Sequence, residues 1–275
     1  MDAQGFYDGL GPDYDLLVSW EERLAREEAF FGTVFDECGA RRVLDAACGT
    51  GMHAIAFARG GRDCTGADLS PVMIEKARRN ARDAGVAARF EVAGFGEMSR
   101  RFGGRFDAVT CVGNSLPHLL DHGSLRACLS DFAALLRPGG ALVIQNRNYD
   151  RLLRERERFM PLVSRIDGEG ETLFCRITEY PPQGAAATTA KVSRGGGGIP
   201  ADAEESIELT LVILRKRDGA WNQVVQSTPL RALRRHTVES ELVRAGFSSV
   251  RVYGSYDFAV FDAAGTHDLV AVAVK

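Results

Sequence analysis

The spacing of apolar residues predicts one long helix at residues 16–35 and, after it, strands and helices in alternation. In the helix, apolar side chains recur at helical spacing with charged residues between them, which is typical of an amphipathic helix. Beyond it, short apolar runs alternate with helical patterns up to residue 150. We expect strands at residues 42–46, 63–67, 89–93, 106–112 and 141–146, and helices at residues 51–59, 71–84 and 125–136.

This alternation predicts an α/β protein with a Rossmann-like, doubly wound sheet. Strands that are separated by helices pair in parallel through right-handed crossovers. Near the C-terminus the sequence predicts a helix at residues 237–245, ended by Gly246, and strands at residues 250–254 and 267–274. We expect this last segment to add an antiparallel hairpin, which completes a mostly parallel sheet of seven strands.

Residues 151–230 interrupt the pattern and predict a small antiparallel β insertion on the substrate side. Charged and β-branched segments at residues 174–179 and 207–217 are typical of strands. Between them, residues 181–205 contain runs of glycine and alanine, and we expect a flexible loop there. The predicted organisation is a helical cap at residues 1–40, a core at 41–150, the insertion at 151–230 and a segment at 231–275 that completes the core sheet.

Composition and charge exclude several classes of protein. Of the 275 residues, 45% are hydrophobic and 26% charged, which is the balance of a globular protein. A formal net charge of −3 disfavours binding to nucleic acids. The apolar runs are far shorter than the roughly 20 residues that cross a bilayer, and the first residues lack the basic and apolar segments of a secretory signal. We therefore expect a cytoplasmic protein without nucleic-acid or membrane partners.

The six cysteines occur singly, without a C-x-x-C pair and without paired histidine spacing. Such scattered cysteines in apolar stretches are typical of reduced, buried thiols. We expect no metal site.

A glycine-rich turn follows the first predicted strand, in the segment VLDAACGTG at residues 43–51. Glycines are required at positions 49 and 51 of such a turn because a Cβ would block the approach of a ligand to the backbone. Asp68 ends the second predicted strand, where a carboxylate can accept hydrogen bonds from both ribose hydroxyls. These features predict a cofactor that contains adenosine, but the glycine spacing alone also fits a nicotinamide dinucleotide.

Three ordered motifs together resemble class I S-adenosylmethionine-dependent methyltransferases. They are residues 43–51, the segment GADLSPVMI at residues 66–74 and the turn RPGG at residues 137–140. The resemblance implies S-adenosylmethionine as the cofactor, and it extends over most of residues 14–150. The cofactor-binding residues that it implies are Asp45, Ala47, Gly49, Gly51, Asp68, Leu69, Met73, Gly94, Phe95 and Val112.

A closer resemblance is to the glycine and sarcosine N-methyltransferases, through CVGNSLPHL at residues 111–119, NRNYD at 146–150 and WEER at 20–23. It implies that Arg147 binds the carboxylate of the acceptor and that Asn114 orients the acceptor, with His118 as a third catalytic residue. His118 and Arg23 would contact the cofactor.

For three of these residues a structural role remains an alternative. Arg147 would then pair with Asp150 or a neighbouring acid, His118 would cap the following helix, and Asn114 would close the turn after the fourth strand.

Two departures from the family pattern bear on ligand binding. Gly94 stands where most methyltransferases have an acidic or amide residue that contacts the adenine amine, so Phe95, backbone groups or Glu97 would have to bind the base. The aromatic residues of the N-methyltransferase pocket have no direct match, because Tyr7 and Tyr14 lie in a shifted register. The acceptor therefore remains open.

The leading hypothesis is an enzyme that methylates the nitrogen of a small, carboxylate-bearing amine. O- or C-methylation of a secondary metabolite is the alternative, in which His118 with an ordinary imidazole pKa near 6.5 would be the base. A noncatalytic cofactor-binding module is a third hypothesis. A nicotinamide oxidoreductase would need a tyrosine and a lysine one helical turn apart, and no such pair appears.

Family members often assemble through N-terminal segments and insertions, so a homo-oligomer, with residues 1–15 or 181–205 entering a neighbour's site, is a further hypothesis.

Overall fold

The computed structural model describes residues 1–168, 170–181 and 206–275, and it contains two β-sheets. The larger sheet has the strand order β10-β11-β5-β4-β1-β2-β3, and the smaller has the order β6-β7-β8-β9. In chain order the strands are β1 (Arg42–Ala46), β2 (Asp63–Asp68), β3 (Arg89–Val92), β4 (Phe106–Cys111), β5 (Leu136–Arg147), β6 (Val163–Asp167), β7 (Gly170–Glu179), β8 (Ser206–Arg217), β9 (Ala220–Arg231), β10 (Ser249–Tyr253) and β11 (Asp268–Val274).

Helices lie on both faces of the larger sheet and at its carboxyl edge. They are α1 (Ala3–Leu10), α2 (Tyr14–Leu17), α3 (Trp20–Glu37), α4 (Met52–Arg59), α5 (Pro71–Asp83), α6 (Met98–Arg101), α7 (His122–Leu135), α8 (Tyr149–Glu155) and α9 (Arg235–Arg244). Short 3₁₀ turns occur at Gly11–Asp13 and Leu116–His118.

The larger sheet confirms the predicted fold class. Strands β1 to β5 pair in parallel, β11 pairs antiparallel with β5, and β10 pairs antiparallel with β11. The bounds predicted for β1 to β4 agree with the structure to within one residue. The C-terminal hairpin completes the seven strands, as the sequence predicts.

The prediction of a single helix at residues 16–35 is wrong, because two helices occupy that segment. The chain leaves the helical conformation at Val18, which is extended at φ −103° and ψ 123°, and α3 then begins at Trp20. The Trp20 indole N–H donates to Asp15 at 2.8 Å across this break. The apolar periodicity therefore does not reveal this break, which a hydrogen bond between side chains five residues apart stabilises.

The smaller sheet is an antiparallel meander, in agreement with the predicted insertion. Two of its strands, β6 and β9, were not predicted. The first half of β9 is exposed on both faces, so it lacks the alternation that identifies a half-buried strand. The loop predicted at residues 181–205 lies, apart from Pro181, outside the described residues.

Three buried clusters connect these layers. One packs α7 and α9 against the larger sheet, and a second packs α3, α4 and α5 against the opposite face. In the third, Phe6 and Leu10 of α1 contact Phe174, Leu211 and Ile213 of the smaller sheet. Burial of each such side chain stabilises the fold by roughly 1.5–3 kcal/mol, so α1 is fixed between the two sheets. Within the described residues, no helix is long and apolar enough to span a membrane.

Candidate active site

Two adjoining cavities lie at the carboxyl ends of the parallel strands, where doubly wound folds bind ligands. The larger cavity has a volume of about 430 Å³ and the smaller about 190 Å³. Both are lined by Tyr7 of α1, Tyr14 of α2, Gly113 and His118. The N-terminal helices therefore cover the site of their own chain, and the four shared residues lie where the two cavities meet.

The glycine turn after β1 forms one wall of the larger cavity. Ala47 and Gly49 line it and adopt positive φ values of 59° and 53°. Such a conformation disfavours residues with a Cβ, and for Ala47 it costs on the order of 1 kcal/mol. The turn thus presents only a methyl group and backbone to the cavity.

Gly51 does not line either cavity. Its φ is 81°, and a Cβ there would lie 2.7 Å from the Phe90 ring and 2.8 Å from the Ala77 Cβ. Close packing of the turn against β3 and α5 therefore requires a glycine at this position. This is the helix–sheet contact that the last glycine of such turns usually permits.

Asp68 lies at the end of β2 and lines the larger cavity, as predicted. Its carboxylate accepts hydrogen bonds from the backbone N–H of Gly49 at 2.8 Å and of Ser70 at 2.9 Å. Burial raises the pKa of this carboxyl group, and the two backbone hydrogen bonds oppose that shift. The carboxylate is therefore fixed between the turns that follow β1 and β2.

The segment after β3 closes the opposite end of the larger cavity. Gly94, Phe95 and Glu97 all line it, and the Glu97 carboxylate accepts a hydrogen bond from the Gly94 N–H at 2.8 Å. The Phe95 ring packs edge-on against Phe132 of α7, with ring centroids 5.9 Å apart. Leu69, Met73 and Val112, also predicted from the sequence, line this cavity as well.

His118 lies between the cavities and contacts Tyr7. Its Nε2 is 3.1 Å from the Tyr7 hydroxyl, and its buried Nδ1 has no hydrogen-bond partner among the described residues. Burial lowers the pKa of His118 to about 4 and raises the pKa of Tyr7 well above its usual value. The Tyr7 hydroxyl keeps its proton and can donate it to a neutral His118. An ordinary imidazole pKa, as expected from the sequence, is therefore wrong for this residue.

The smaller cavity lies between the larger sheet, the smaller sheet and α1. It is lined by apolar side chains, by Asn114 and by three arginines, Arg23, Arg147 and Arg176. No acidic side chain of the described residues lines it. The electrostatic potential in this cavity therefore favours an anion.

Asn114 connects the turn after β4 with the end of β5. Its φ is 64°, a conformation that asparagine tolerates better than most residues. The side-chain carbonyl accepts from the Arg147 backbone N–H at 2.9 Å, and the amide donates to the Tyr149 hydroxyl at 3.0 Å. Asn114 thus closes the turn, as the structural alternative holds, and it also lines the smaller cavity.

Arg147 lies next to Asn114, at the end of β5. The proposed ion pair with Asp150 is absent, since the Asp150 carboxylate accepts instead from the Arg235 backbone N–H at 2.9 Å. In the part of the chain that the structure describes, no side-chain hydrogen bond or ion pair of the Arg147 guanidinium is found. A cation in this position is available to a ligand.

Besides Gly51, two predicted cofactor-binding residues lie outside the larger cavity. Asp45 is buried beneath the glycine turn and accepts a hydrogen bond from Thr110 at 2.8 Å. Arg23 lines only the smaller cavity and donates to Glu27 at 2.9 Å; Glu27 in turn lies 2.7 Å from His53.

The sequence did not indicate Arg176. It lies in β7 of the insertion, in a segment without a motif, so no local signal identifies it.

Comparisons with known proteins agree with this architecture. A family model described as a methyltransferase domain matches residues 43–140. A glycine/sarcosine N-methyltransferase of Parasynechococcus marenigrum (strain WH8102) is 40% identical over 150 residues, which cover 54% of this chain and 53% of that protein. Another, of Halorhodospira halochloris, is 37% identical over 151 residues, or 55% of this chain and 56% of that protein. The matched part of the chain thus spans about half the length of these curated relatives.

A solved structure supports the fold over the whole chain. The S-adenosylmethionine-dependent methyltransferase of Clostridium acetobutylicum ATCC 824 superposes with a TM-score of 0.72, covers 98% of each chain and is 15% identical. The glycine turn, the carboxylate after β2 and the strand order agree with the family that these matches indicate. Residues 43–140 are thus similar to a methyltransferase domain, and the fold of the chain is that of a solved S-adenosylmethionine-dependent methyltransferase.

Proposed function

We propose that this protein transfers a methyl group from S-adenosylmethionine to the nitrogen of a small amine that bears a carboxylate, such as glycine or sarcosine. The observation that supports this most directly is Arg147, a guanidinium that has no acidic partner among the described residues and lies in a small cavity that adjoins the larger one. A planar guanidinium binds a carboxylate through two parallel hydrogen bonds. The curated relatives named above have the corresponding activity in their names.

In this proposal the larger cavity binds the cofactor, which supplies an electrophilic methyl group on a positively charged sulfur. The Asp68 carboxylate would accept hydrogen bonds from the ribose hydroxyls, and the turn at Ala47 and Gly49 would contact the cofactor through its backbone. Phe95 and Glu97 would lie against the adenine. Leu69, Met73, Gly94, Val112 and His118 would complete the contacts.

The smaller cavity would bind the acceptor so that its nitrogen faces the larger cavity. Arg147 would bind the carboxylate, and Asn114 would orient the acceptor while it holds the end of β5. The nitrogen must arrive unprotonated; as the new N–C bond forms, the S–C bond breaks, and a proton of the product then passes to water. The contribution of the protein is mainly alignment of the two groups at near-attack distance.

The lowered pKa of His118 favours nitrogen over oxygen as the nucleophile. Transfer to a phenol or hydroxyl benefits from a general base whose pKa is near the working pH. Burial lowers the pKa of His118 to about 4, which makes it a weak base. Its hydrogen bond with Tyr7 supports instead a role in fixing these two side chains where the cavities meet.

The test is methyl transfer from labelled S-adenosylmethionine to matched acceptors. Glycine and sarcosine should be methylated, while glycinamide, which keeps the amine but lacks the carboxylate, should react at least roughly a hundredfold more slowly in kcat/KM. A phenol serves as the acceptor for the oxygen alternative. Equal rates with glycine and glycinamide would overturn the role of Arg147, and binding of the cofactor without transfer to any acceptor would favour a noncatalytic module.

A further inference from the structure

A second arginine in the smaller cavity has no role in the proposed reaction. Arg176, in β7, lines the same cavity as Arg147, although one guanidinium is enough for the carboxylate of glycine. The two residues come from different sheets and meet only in the folded chain. Their juxtaposition is the feature that the proposed function leaves unexplained.

The guanidinium of Arg176 makes few hydrogen bonds with the described part of the protein. Its Nη2 donates to the Pro161 carbonyl at 3.4 Å, a long hydrogen bond, and its buried Nε has no partner among the described residues. No ion pair of this side chain is found in the described part of the chain. A partly buried guanidinium without an acid nearby is costly, because its lost hydration is not replaced.

The two guanidinium groups also repel each other. Burial lowers the pKa of Arg176, and the positive charge of Arg147 lowers it further. Arg23, the third arginine of the cavity, forms an ion pair with Glu27, so its positive charge is already balanced. An anionic ligand with a single carboxylate would satisfy one of the two remaining cations and leave the other unpaired.

We propose that the acceptor is an amine with two anionic groups, of which Arg147 binds one and Arg176 the other. This inference rests on the proposed function and makes Arg176 a determinant of substrate specificity. The remaining walls of the cavity are mostly apolar, with Phe6, Leu10 and Leu211 among them, and the volume of about 190 Å³ limits the acceptor to a small molecule. The second anion can be a carboxylate or a phosphonate, which offer the same acceptor oxygens.

The experiment compares acceptors that have two anionic groups with acceptors that have one. Calorimetric titration, with S-adenosylhomocysteine present, measures aspartate against asparagine, iminodiacetate against sarcosine, and N-(phosphonomethyl)glycine against sarcosine. We expect the more anionic member of each pair to bind at least roughly tenfold more tightly, because it gains a charge-assisted contact. A preference restricted to the carboxylate pairs, or to the phosphonate, identifies the second group.

Variants separate this inference from the proposed function. Arg176→Gln should remove the preference for aspartate over asparagine, and Arg176→Lys should restore part of it. Arg158→Gln removes an exposed arginine that lies outside the cavity and pairs with Glu179 at 3.7 Å, so the preference should persist there.

Equal affinities within all three pairs, or a preference that survives Arg176→Gln, would overturn the inference. Methylation of glycine that depends on Arg147 would then still support the proposed function. If no acceptor binds and the protein also gives no heat with S-adenosylhomocysteine alone, the proposed function fails, and this inference fails with it.

Discussion

The larger and the smaller cavity adjoin each other but are built in different ways. The larger is lined mainly by turns and short segments that follow β1, β2 and β3, and its two carboxylates, Asp68 and Glu97, both accept hydrogen bonds from backbone N–H groups. The smaller is lined by side chains from α1, β5 and the second sheet, and two of its arginines lack acidic partners among the described residues.

This difference separates the expected consequences of mutation. Backbone turns bind any ligand of the right shape, and their geometry depends on packing beneath them. Unpaired cations in a partly buried cavity select ligands by charge, and each depends on one side chain. Changes in the smaller cavity should therefore affect the choice of acceptor, and changes in the larger should affect cofactor binding or stability.

The largest effect is expected for Arg147→Gln. Loss of the guanidinium removes a two-point contact with the acceptor, so kcat/KM for glycine should fall by roughly a thousandfold, or about 4 kcal/mol. Affinity for S-adenosylmethionine, measured by calorimetry, should change little. A similar loss in cofactor affinity would show that the two cavities are not functionally separate.

Asp68→Ala should produce the opposite pattern. Removal of two charge-assisted hydrogen bonds to the ribose should weaken cofactor binding by roughly 2–4 kcal/mol. Asp63→Ala, at the exposed start of the same strand, is the matched control and should leave affinity unchanged. Unaltered affinity of the Asp68 variant in calorimetry would remove this residue from the proposed cofactor site.

Gly51→Ala tests the packing beneath the larger cavity. The added Cβ would lie 2.7 Å from the Phe90 ring at a φ of 81°, so the free energy of unfolding should fall by roughly 2–3 kcal/mol. Gly85 also has a positive φ, of 65°, but open space around it, so Gly85→Ala should cost only about 1 kcal/mol. Denaturant unfolding of both variants decides whether packing or backbone conformation requires the glycine.

The smallest effect concerns His118 and pH. Its pKa in the folded state is about 4, below the ordinary value of 6.5, so the unfolded chain binds the proton more readily. Stability should therefore fall as the pH decreases from about 6.5 to 4, by roughly 1–3 kcal/mol, and remain constant above this range. His118→Gln should lack this contribution, while His236→Gln, at an exposed position, should retain it. Unfolding curves that coincide for the two variants across this range would contradict the assignment.

Much of the larger cavity could be predicted from the sequence because its parts are local. The turn at residues 43–51 and the carboxylate at Asp68 belong to consecutive strand–turn–helix units, whose glycines and apolar runs have recognisable spacing. Nine of the predicted cofactor-binding residues line this cavity: Ala47, Gly49, Asp68, Leu69, Met73, Gly94, Phe95, Val112 and His118. The close packing around Gly51 was not predicted, because the ring nearest to it, Phe90, is distant in the sequence.

The smaller cavity depended on tertiary structure. Tyr7 and His118 are 111 residues apart, and Arg147 and Arg176 lie in different sheets, so no spacing along the chain indicates that they meet. The pKa of His118 likewise follows from burial, which the sequence does not specify. Periodicity and turn chemistry act between near neighbours and so determined the fold and the cofactor turn. Charge pairing and desolvation depend on what surrounds a side chain in space, and only the folded chain decided those.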